Sequence, residues 1–256
     1  MTASKLTAVV LRTVDTGEAD RVVTLFSRER GKVAAFARGA RASRRRFGGA
    51  LEPFTLVAAE VRERPGAELL GLESVSPLDA FGAIRADLAR IACAAYAVEL
   101  SRELVRDHEP HPDLFDLLTA YLRALDAAPA LPAGLRAFEL GALRAAGLLP
   151  RLDACARCGG ALTGARTLRF DPAHGGLLCA QCAPLASPGA PTLSAAAAAA
   201  LTRLADGGLA AAPAERLPAA AGREGRDALR AFIEHHVGHG LAARRFLDEV
   251  GPMLGD

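Results

Sequence analysis

The stretch "LTAVVLRTVDTGEADRVVTLFSRERGKVAAFARG", residues 6–39, decides the architecture of the N-terminal part of the chain. Its three segments rich in Val, Phe and Thr are separated by Gly- or Asp-containing turns, a pattern typical of β-strands. Two more segments of this kind follow, "FTLVAAEVRE" (54–63) and "AELLGLESV" (67–75). Both faces of the first strand are partly apolar, as a closed or doubly covered sheet requires. The sequence therefore predicts a five-stranded barrel of the oligonucleotide-binding (OB) type over residues 1–80.

After this region the periodicity of apolar residues becomes helical. Three helices, expected to bundle, are predicted from the patterns at 84–107, 112–128 and 135–150. Helical patterns return after an interruption, at 192–208 and 222–240. We therefore predict an α+β multidomain protein, in which an α-helical domain in two parts carries an inserted module. The predicted boundaries are 1–80 for the barrel, 81–150 and 187–256 for the helical domain, and 151–186 for the insertion.

The insertion contains two CxxC motifs, "CARC" with Cys155 and Cys158 and "CAQC" with Cys179 and Cys182. Two such turns can supply four thiolates to one tetrahedral ion, so their spacing predicts one structural Zn²⁺ with no open coordination position. Disulfides or a redox-active pair are the alternatives, and the doubled motif disfavours both. His174 is an alternative fourth ligand.

The overall charge of the 256-residue chain does not favour an anionic partner, because its formal net charge is only +2. Local clustering does favour one, since the segment from residue 28 to residue 46 contains eight Lys and Arg residues and a single acidic residue, Glu29. No signal segment or membrane-spanning run is visible, so the expected location is the cytoplasm, without membrane association.

The segment "GARASRRRFG", residues 39–48, follows a strand in which Lys32, Phe36 and Arg38 share one face. A cationic, aromatic-bearing surface suits single-stranded nucleic acid, because cations neutralise phosphates and a ring stacks on a base. The predicted DNA-binding residues are Lys32, Phe36, Arg38, Arg41, Arg44, Arg45 and Arg46. The alternatives are a solvated loop with Phe36 in the core, and an adaptor surface for the acidic tail of a partner protein.

Catalytic signatures are absent from the sequence: it contains no nucleophile elbow, phosphate-binding loop or dinucleotide fingerprint. His235 and His239 stand at i,i+4 beside Glu234 and could hold a second metal, which makes a zinc-dependent hydrolase the weaker alternative. The neighbouring glycines favour a helix end, where histidines interact well with the helix dipole. We predict no catalytic residue, no small-molecule substrate and no enzymatic activity.

Three segments resemble the RecO family of bacterial recombination mediators. They are "VVLRTVDTGEADRVVTLFSRERGKVAAFARGARASRRRFGGALEPF" (9–54), "ELGALRAAGLLPRLDACARCGG" (139–160) and "HHVGHGLAARRFLDEV" (235–250). The last departs, at 242–246, from the lysine-serine-arginine pattern expected there. Because some members of the family lack the four cysteines, the zinc prediction rests on the spacing in this chain.

The resemblance implies an OB barrel on a helical domain with a zinc module. It also implies binding of single- and double-stranded DNA, annealing of complementary strands, and help in loading the RecA recombinase onto DNA coated with single-strand-binding protein (SSB). The implied partners are DNA, RecR and the acidic, hydrophobic C-terminal tail of SSB. The implied location is cytoplasmic and nucleoid-associated.

Overall fold

The computed structural model describes residues 3–63, 66–162, 166–216 and 218–254. The chain forms two compact units, Met1–Ala128 and Pro129–Asp256. The side chains of Arg44 and of residues 252–254 are outside the description. No helix within the described ranges is both long and apolar enough to cross a membrane.

The first unit begins with a closed five-stranded barrel, which confirms the barrel predicted from the sequence. Its strands are β1 (Ala3–Thr16), β2 (Asp20–Ser27), β3 (Gly31–Ala37), β4 (Leu56–Arg62) and β5 (Leu70–Asp79). They are ordered β1-β2-β3-β5-β4, and β3 pairs with β5 in parallel while the other pairs are antiparallel. Alternate residues such as Val23, Leu25, Val33 and Ala35 fill the interior. The connection from β3 to β4 carries a one-turn helix, α1 (Arg44–Phe47).

Two helices complete the first unit, α2 (Leu88–Leu104) and α3 (Pro112–Ala127). Their connection is bound to the barrel, since the N–H of His108 donates to the carbonyl oxygen of Lys32 over 2.9 Å. A Cβ atom at Gly31 would overlap the carbonyl of Glu109, so this close approach requires glycine. The rings of Phe26 and Phe115 meet edge to face, with centroids 5.6 Å apart.

The second unit combines helices with a small sheet. Its helices are α4 (Pro132–Ala145), α5 (Ala195–Ala211), α6 (Ala219–Val237) and α7 (Ala242–Leu254), and its strands are β6 (Thr167–Asp171), β7 (Gly176–Leu178) and β8 (Thr192–Ser194). The sheet order is β7-β6-β8, and α4 packs against α5 and α6.

The third helix of the predicted bundle, α4, thus belongs to the second unit, whereas α2 and α3 belong to the first. Apolar periodicity indicates which face of a helix is buried but not what covers it. The division at residues 80, 150 and 186 stays a prediction.

Candidate metal centre and nucleic-acid interface

The four predicted cysteine ligands form one cluster. The Sγ atoms of Cys155, Cys158, Cys179 and Cys182 all lie within 4.8 Å of one another, and those of Cys158 and Cys179 are 3.7 Å apart. Four sulfurs placed tetrahedrally at about 2.3 Å from a zinc ion would be separated by about 3.8 Å. The arrangement therefore fits a tetrahedral metal ion, and three of the four cysteines are buried around it.

Tight backbone turns hold both CxxC motifs. In the first, the N–H of Gly159 donates to the carbonyl of Cys155 over 2.9 Å, and Gly159 adopts a φ of +73°. The N–H of Gly160 points to the Cys158 sulfur at 3.4 Å. In the second, the N–H groups of Cys182 and Ala183 donate to the Cys179 carbonyl. Gly159 is needed because a side chain would strain this left-handed conformation.

The electrostatics of the cluster favour a cation. Burial opposes ionisation of Cys155, but hydrogen bonds from the backbone at Cys158, Cys179 and Arg157 lower the pKa of its thiol to about 6. Burial and hydrogen bonds with the other three cysteines raise the pKa of Cys182 to about 12. Four thiolates this close repel one another, and a bound cation would offset that repulsion.

His174, the alternative ligand, has a different role in the structure. Its Nδ1 lies 2.8 Å from a carboxylate oxygen of Asp171, which is fully buried. Asp171 also accepts hydrogen bonds from the backbone N–H groups of Ser187 (2.7 Å) and Ala173 (3.0 Å). Although burial raises the pKa of Asp171, these bonds and His174 lower it to about 2. Sequence reasoning missed this anchor, whose local signal is an Asp that precedes Pro and His in a turn.

His235 and His239 do not lie on one helix, in agreement with the helix end that the neighbouring glycines predict. Helix α6 ends at Val237, and Gly238 after it adopts a left-handed φ of +85°, so His239 lies beyond the last helical turn. Glu234 is hydrogen-bonded to Arg230, with a distance of 2.9 Å between Oε1 and Nε. Among the described residues, the group of side chains suited to a metal consists of the four cysteines.

Some cations of the basic segment, residues 28–46, are paired with acidic residues within the first unit. Arg28 forms a two-point ion pair with Asp116, with Nε 3.0 Å from Oδ1. Arg30 pairs with Glu63. Lys32, one of the predicted DNA-binding residues, donates to the Arg102 carbonyl over 3.1 Å and lies 3.3 Å from a carboxylate oxygen of Asp107. The side chain of Lys32 is only 19% exposed, so the structure directs it to the helices.

The arginines of residues 38–46 are exposed wherever their side chains are described. Arg41 donates to the Glu18 carbonyl over 3.1 Å and lies 3.9 Å from a carboxylate oxygen of Asp15. Arg46 donates to the Arg38 carbonyl over 2.7 Å, and its guanidinium lies 5.0 Å from the centre of the Phe47 ring. Within the described part of the chain no acidic partner is found for Arg38, Arg45 or Arg46. We call these three residues the acid-free arginine patch.

Phe36 lies on the outer face of the barrel and is half-buried, whereas Val33, Ala35 and Ala37 point into the core. This is the alternation predicted from the sequence, and the alternative with Phe36 in the core is wrong. The start of the arginine loop is fixed by the β1–β2 turn. There the N–H of Gly39 donates to a carboxylate oxygen of Asp20 over 2.7 Å. The sequence places Asp20 next to a turn but does not indicate this contact.

A small closed barrel followed by a helical unit with four clustered cysteines that could hold a metal ion defines a class of multidomain α+β proteins. Comparison with known families is more specific, because the family described as Recombination protein O N terminal matches residues 1–81 and the one described as Recombination protein O C terminal matches residues 85–245. The chain belongs to the RecO family.

Relatives support this assignment over nearly the full length. A protein named DNA repair protein RecO from Anaeromyxobacter sp. (strain Fw109-5) is 71% identical over 252 residues, which are 98% of both chains. Proteins of the same name from Myxococcus xanthus and Geobacter sulfurreducens are 48% and 45% identical, over 95% and 71% of this chain and 96% and 73% of their own. The family resemblance seen in the sequence is confirmed, and membership supports a role in DNA repair and recombination.

Proposed function

We propose that this protein binds single- and double-stranded DNA, anneals complementary strands and assists the loading of RecA onto SSB-coated DNA. The observation that carries the proposal is the acid-free arginine patch beside the outward-facing Phe36 on a closed barrel. Cations without acidic partners can neutralise phosphates, and an outward-facing ring can stack on a base. The names of the relatives, which are DNA repair proteins, agree with this function.

The proposed mechanism is charge screening combined with positioning. Arginines at the barrel lower the repulsion between two phosphate chains, while the barrel face holds one strand with its bases accessible, so that pairing can nucleate. No covalent bond is made or broken. We therefore propose a non-enzymatic mediator without catalytic residues or a small-molecule substrate. The proposed DNA-binding residues are Lys32, Phe36, Arg38, Arg41, Arg44, Arg45 and Arg46.

Within that set, the cations differ in what DNA binding would require of them. Lys32 would have to leave Asp107 and the Arg102 carbonyl, and Arg41 would have to give up a weaker interaction with Asp15. Arg38 and Arg45 are exposed and have no acidic partner to leave in the described part of the chain. We therefore expect the acid-free arginine patch to contribute more than Lys32.

The four cysteines are proposed to hold one Zn²⁺. The ion would crosslink the two CxxC turns and so stabilise the second unit. Its role would be structural, because four protein ligands leave no position for water or substrate. Cys155 and Cys158 would supply one pair of thiolates, and Cys179 and Cys182 the other.

The proposed partners are DNA, RecR and the C-terminal tail of SSB, and the proposed location is the cytoplasm, in association with the nucleoid. The closest test of the function is an annealing assay with complementary oligonucleotides, bare and coated with SSB. We expect the purified protein to accelerate annealing of both. A protein that fails to accelerate the annealing of bare strands at low salt would contradict the proposal.

The alternative function is a protein–protein adaptor with a structural zinc. It is favoured by the ion pairs of Arg28 with Asp116 and of Arg30 with Glu63, in which arginines of this segment contact carboxylates. An adaptor would give no mobility shift with labelled single-stranded DNA at low salt, and it would bind an acidic peptide instead.

A further inference from the structure

Strand register places three apolar side chains in one row across the outside of the barrel. Val14 of β1 pairs with Val22 of β2, and Val22 pairs with Phe36 of β3. Directly paired residues point to the same face of a sheet, and their side chains are neighbours. Val23, which follows Val22, and Ala35 and Ala37, on either side of Phe36, belong to the interior core, so this row faces outward. We call Val14, Val22 and Phe36 the outer row.

The outer row is open to solvent although it is apolar. Val14 is 41% exposed, and Val22 and Phe36 are half-buried. At about 4.8 Å between strands, three strands place the ends of the row about 10 Å apart. That distance corresponds to about three steps between neighbouring bases, at about 3.4 Å each. The row thus has the length for a short run of bases.

Positive charges flank the outer row on both sides along the strand direction. Arg12 pairs with Thr24 in the row on one side, and Arg38 follows the end of β3 on the other. Both arginines are exposed. Because residues on one face of a strand recur every two positions, each cation lies about 7 Å from the row. An apolar stripe between two cationic edges is complementary to a single strand, whose bases are apolar on their faces and whose backbone is anionic.

We propose that the outer row is the element that distinguishes single-stranded from double-stranded DNA. Unpaired bases can leave their stack and lie on Val14, Val22 and Phe36, with Arg12 and Arg38 binding the adjacent phosphates. A duplex keeps its bases paired and reaches only the arginines. The inference rests on the proposed DNA binding and adds the residues on which selectivity depends. Two residues of the outer row, Val14 and Val22, lie outside the basic segment of residues 28–46.

The test measures affinity for a labelled oligo-dT of about twenty nucleotides and for a duplex of the same length. In Phe36→Leu the ring is lost, and we expect single-strand affinity to fall at least about fivefold, since stacking of one base on an aromatic ring contributes about 1–3 kcal/mol. Duplex affinity should change less than about twofold. Phe36→Tyr, which keeps the ring, should preserve single-strand affinity.

A second variant guards against loss of folding. Val14→Thr with Val22→Thr keeps the branched shape and the strand preference while adding hydroxyl groups. We expect a two- to fivefold loss for the single strand only. Thr24→Ala, on the same face but outside the outer row, is the matched control and should change neither affinity.

The outcomes separate the two proposals. Equal losses for single strand and duplex, or no loss in Phe36→Leu while the unmodified protein binds DNA, would overturn the selectivity role and leave the proposed DNA binding by the arginines intact. Failure of the unmodified protein to bind either DNA at low salt would overturn both.

Discussion

The difference between paired and acid-free arginines gives a sharp prediction. The double variant Arg45→Ala, Arg46→Ala removes two cations that lack acidic partners within the described residues. The matched control Arg28→Ala, Arg30→Ala removes two cations that are paired with Asp116 and Glu63. Both variants change the net charge by the same amount, so a difference between them reflects the position and the contacts of the charges.

The expected magnitude follows from the number of phosphate contacts. If four arginines of residues 38–46 contact a single strand, each contributing about 0.7, the slope of log K against log salt is about −2.8. Affinity then falls about fiftyfold between 50 and 200 mM salt. Without two of the contacts the slope becomes about −1.4, and the fall is about sevenfold. At 100 mM salt the double variant should bind about 25-fold more weakly than the unmodified protein.

The assay is fluorescence anisotropy with a labelled oligo-dT at several salt concentrations, together with a thermal melt of each variant. The control should keep the slope of the unmodified protein, because its two arginines are already paired with carboxylates. It should also stay folded, since exposed ion pairs contribute little to stability. Equal flattening in both variants would show that net charge alone governs binding, and an unchanged slope in the double variant would remove the arginine loop from the mechanism.

Substitutions at three further residues test other parts of the account. Cys158→Ser leaves three thiolates, so we expect a zinc content well below about one ion per chain, measured by mass spectrometry, and a lower melting temperature. Full metal content in this variant would refute the ligand assignment. Asp171 has its pKa lowered from 3.8 to about 2, so its ionisation stabilises the fold by about 2 kcal/mol above pH 4, and this is lost as the pH falls toward 2. Denaturant unfolding of Asp171→Asn should therefore differ most from the unmodified protein at neutral pH, and a difference independent of pH would contradict this origin. Asp20→Ala leaves the Gly39 N–H without its acceptor and should weaken DNA binding several-fold. Asp20→Asn keeps an acceptor oxygen and should bind DNA normally. Equal losses of DNA affinity in the two variants would exclude the hydrogen bond as the cause.

Local patterns were sufficient to predict the barrel and the cysteine cluster. The alternation in β3, with Val33 and Ala35 inside and Phe36 outside, follows directly from the geometry of a strand. The two CxxC motifs bring their thiols together because each motif forms its own tight turn and few arrangements satisfy four sulfurs. In both cases a pattern of a few residues, the alternation of a strand or the spacing of a CxxC motif, specifies the local geometry.

Pairings between distant segments could not be predicted in this way. Lys32 is an outward-facing lysine in the sequence, but its Nζ reaches Asp107, and nothing near either residue indicates this pair. Likewise, Asp20 has the local pattern of a polar turn, and only the folded barrel brings its carboxylate to the N–H of Gly39. The outer row also depends on register, because Val14 and Phe36 become neighbours of Val22 only once the strands have paired.

The central claim is that the outer face of the barrel and its arginine loop bind single-stranded DNA. Photo-crosslinking of an oligonucleotide that contains 5-iodouracil, followed by mass spectrometry of the crosslinked peptides, tests it most directly. We predict crosslinks within residues 9–54, with Phe36 among the sites. Crosslinks confined to residues 129–256 would contradict the claim.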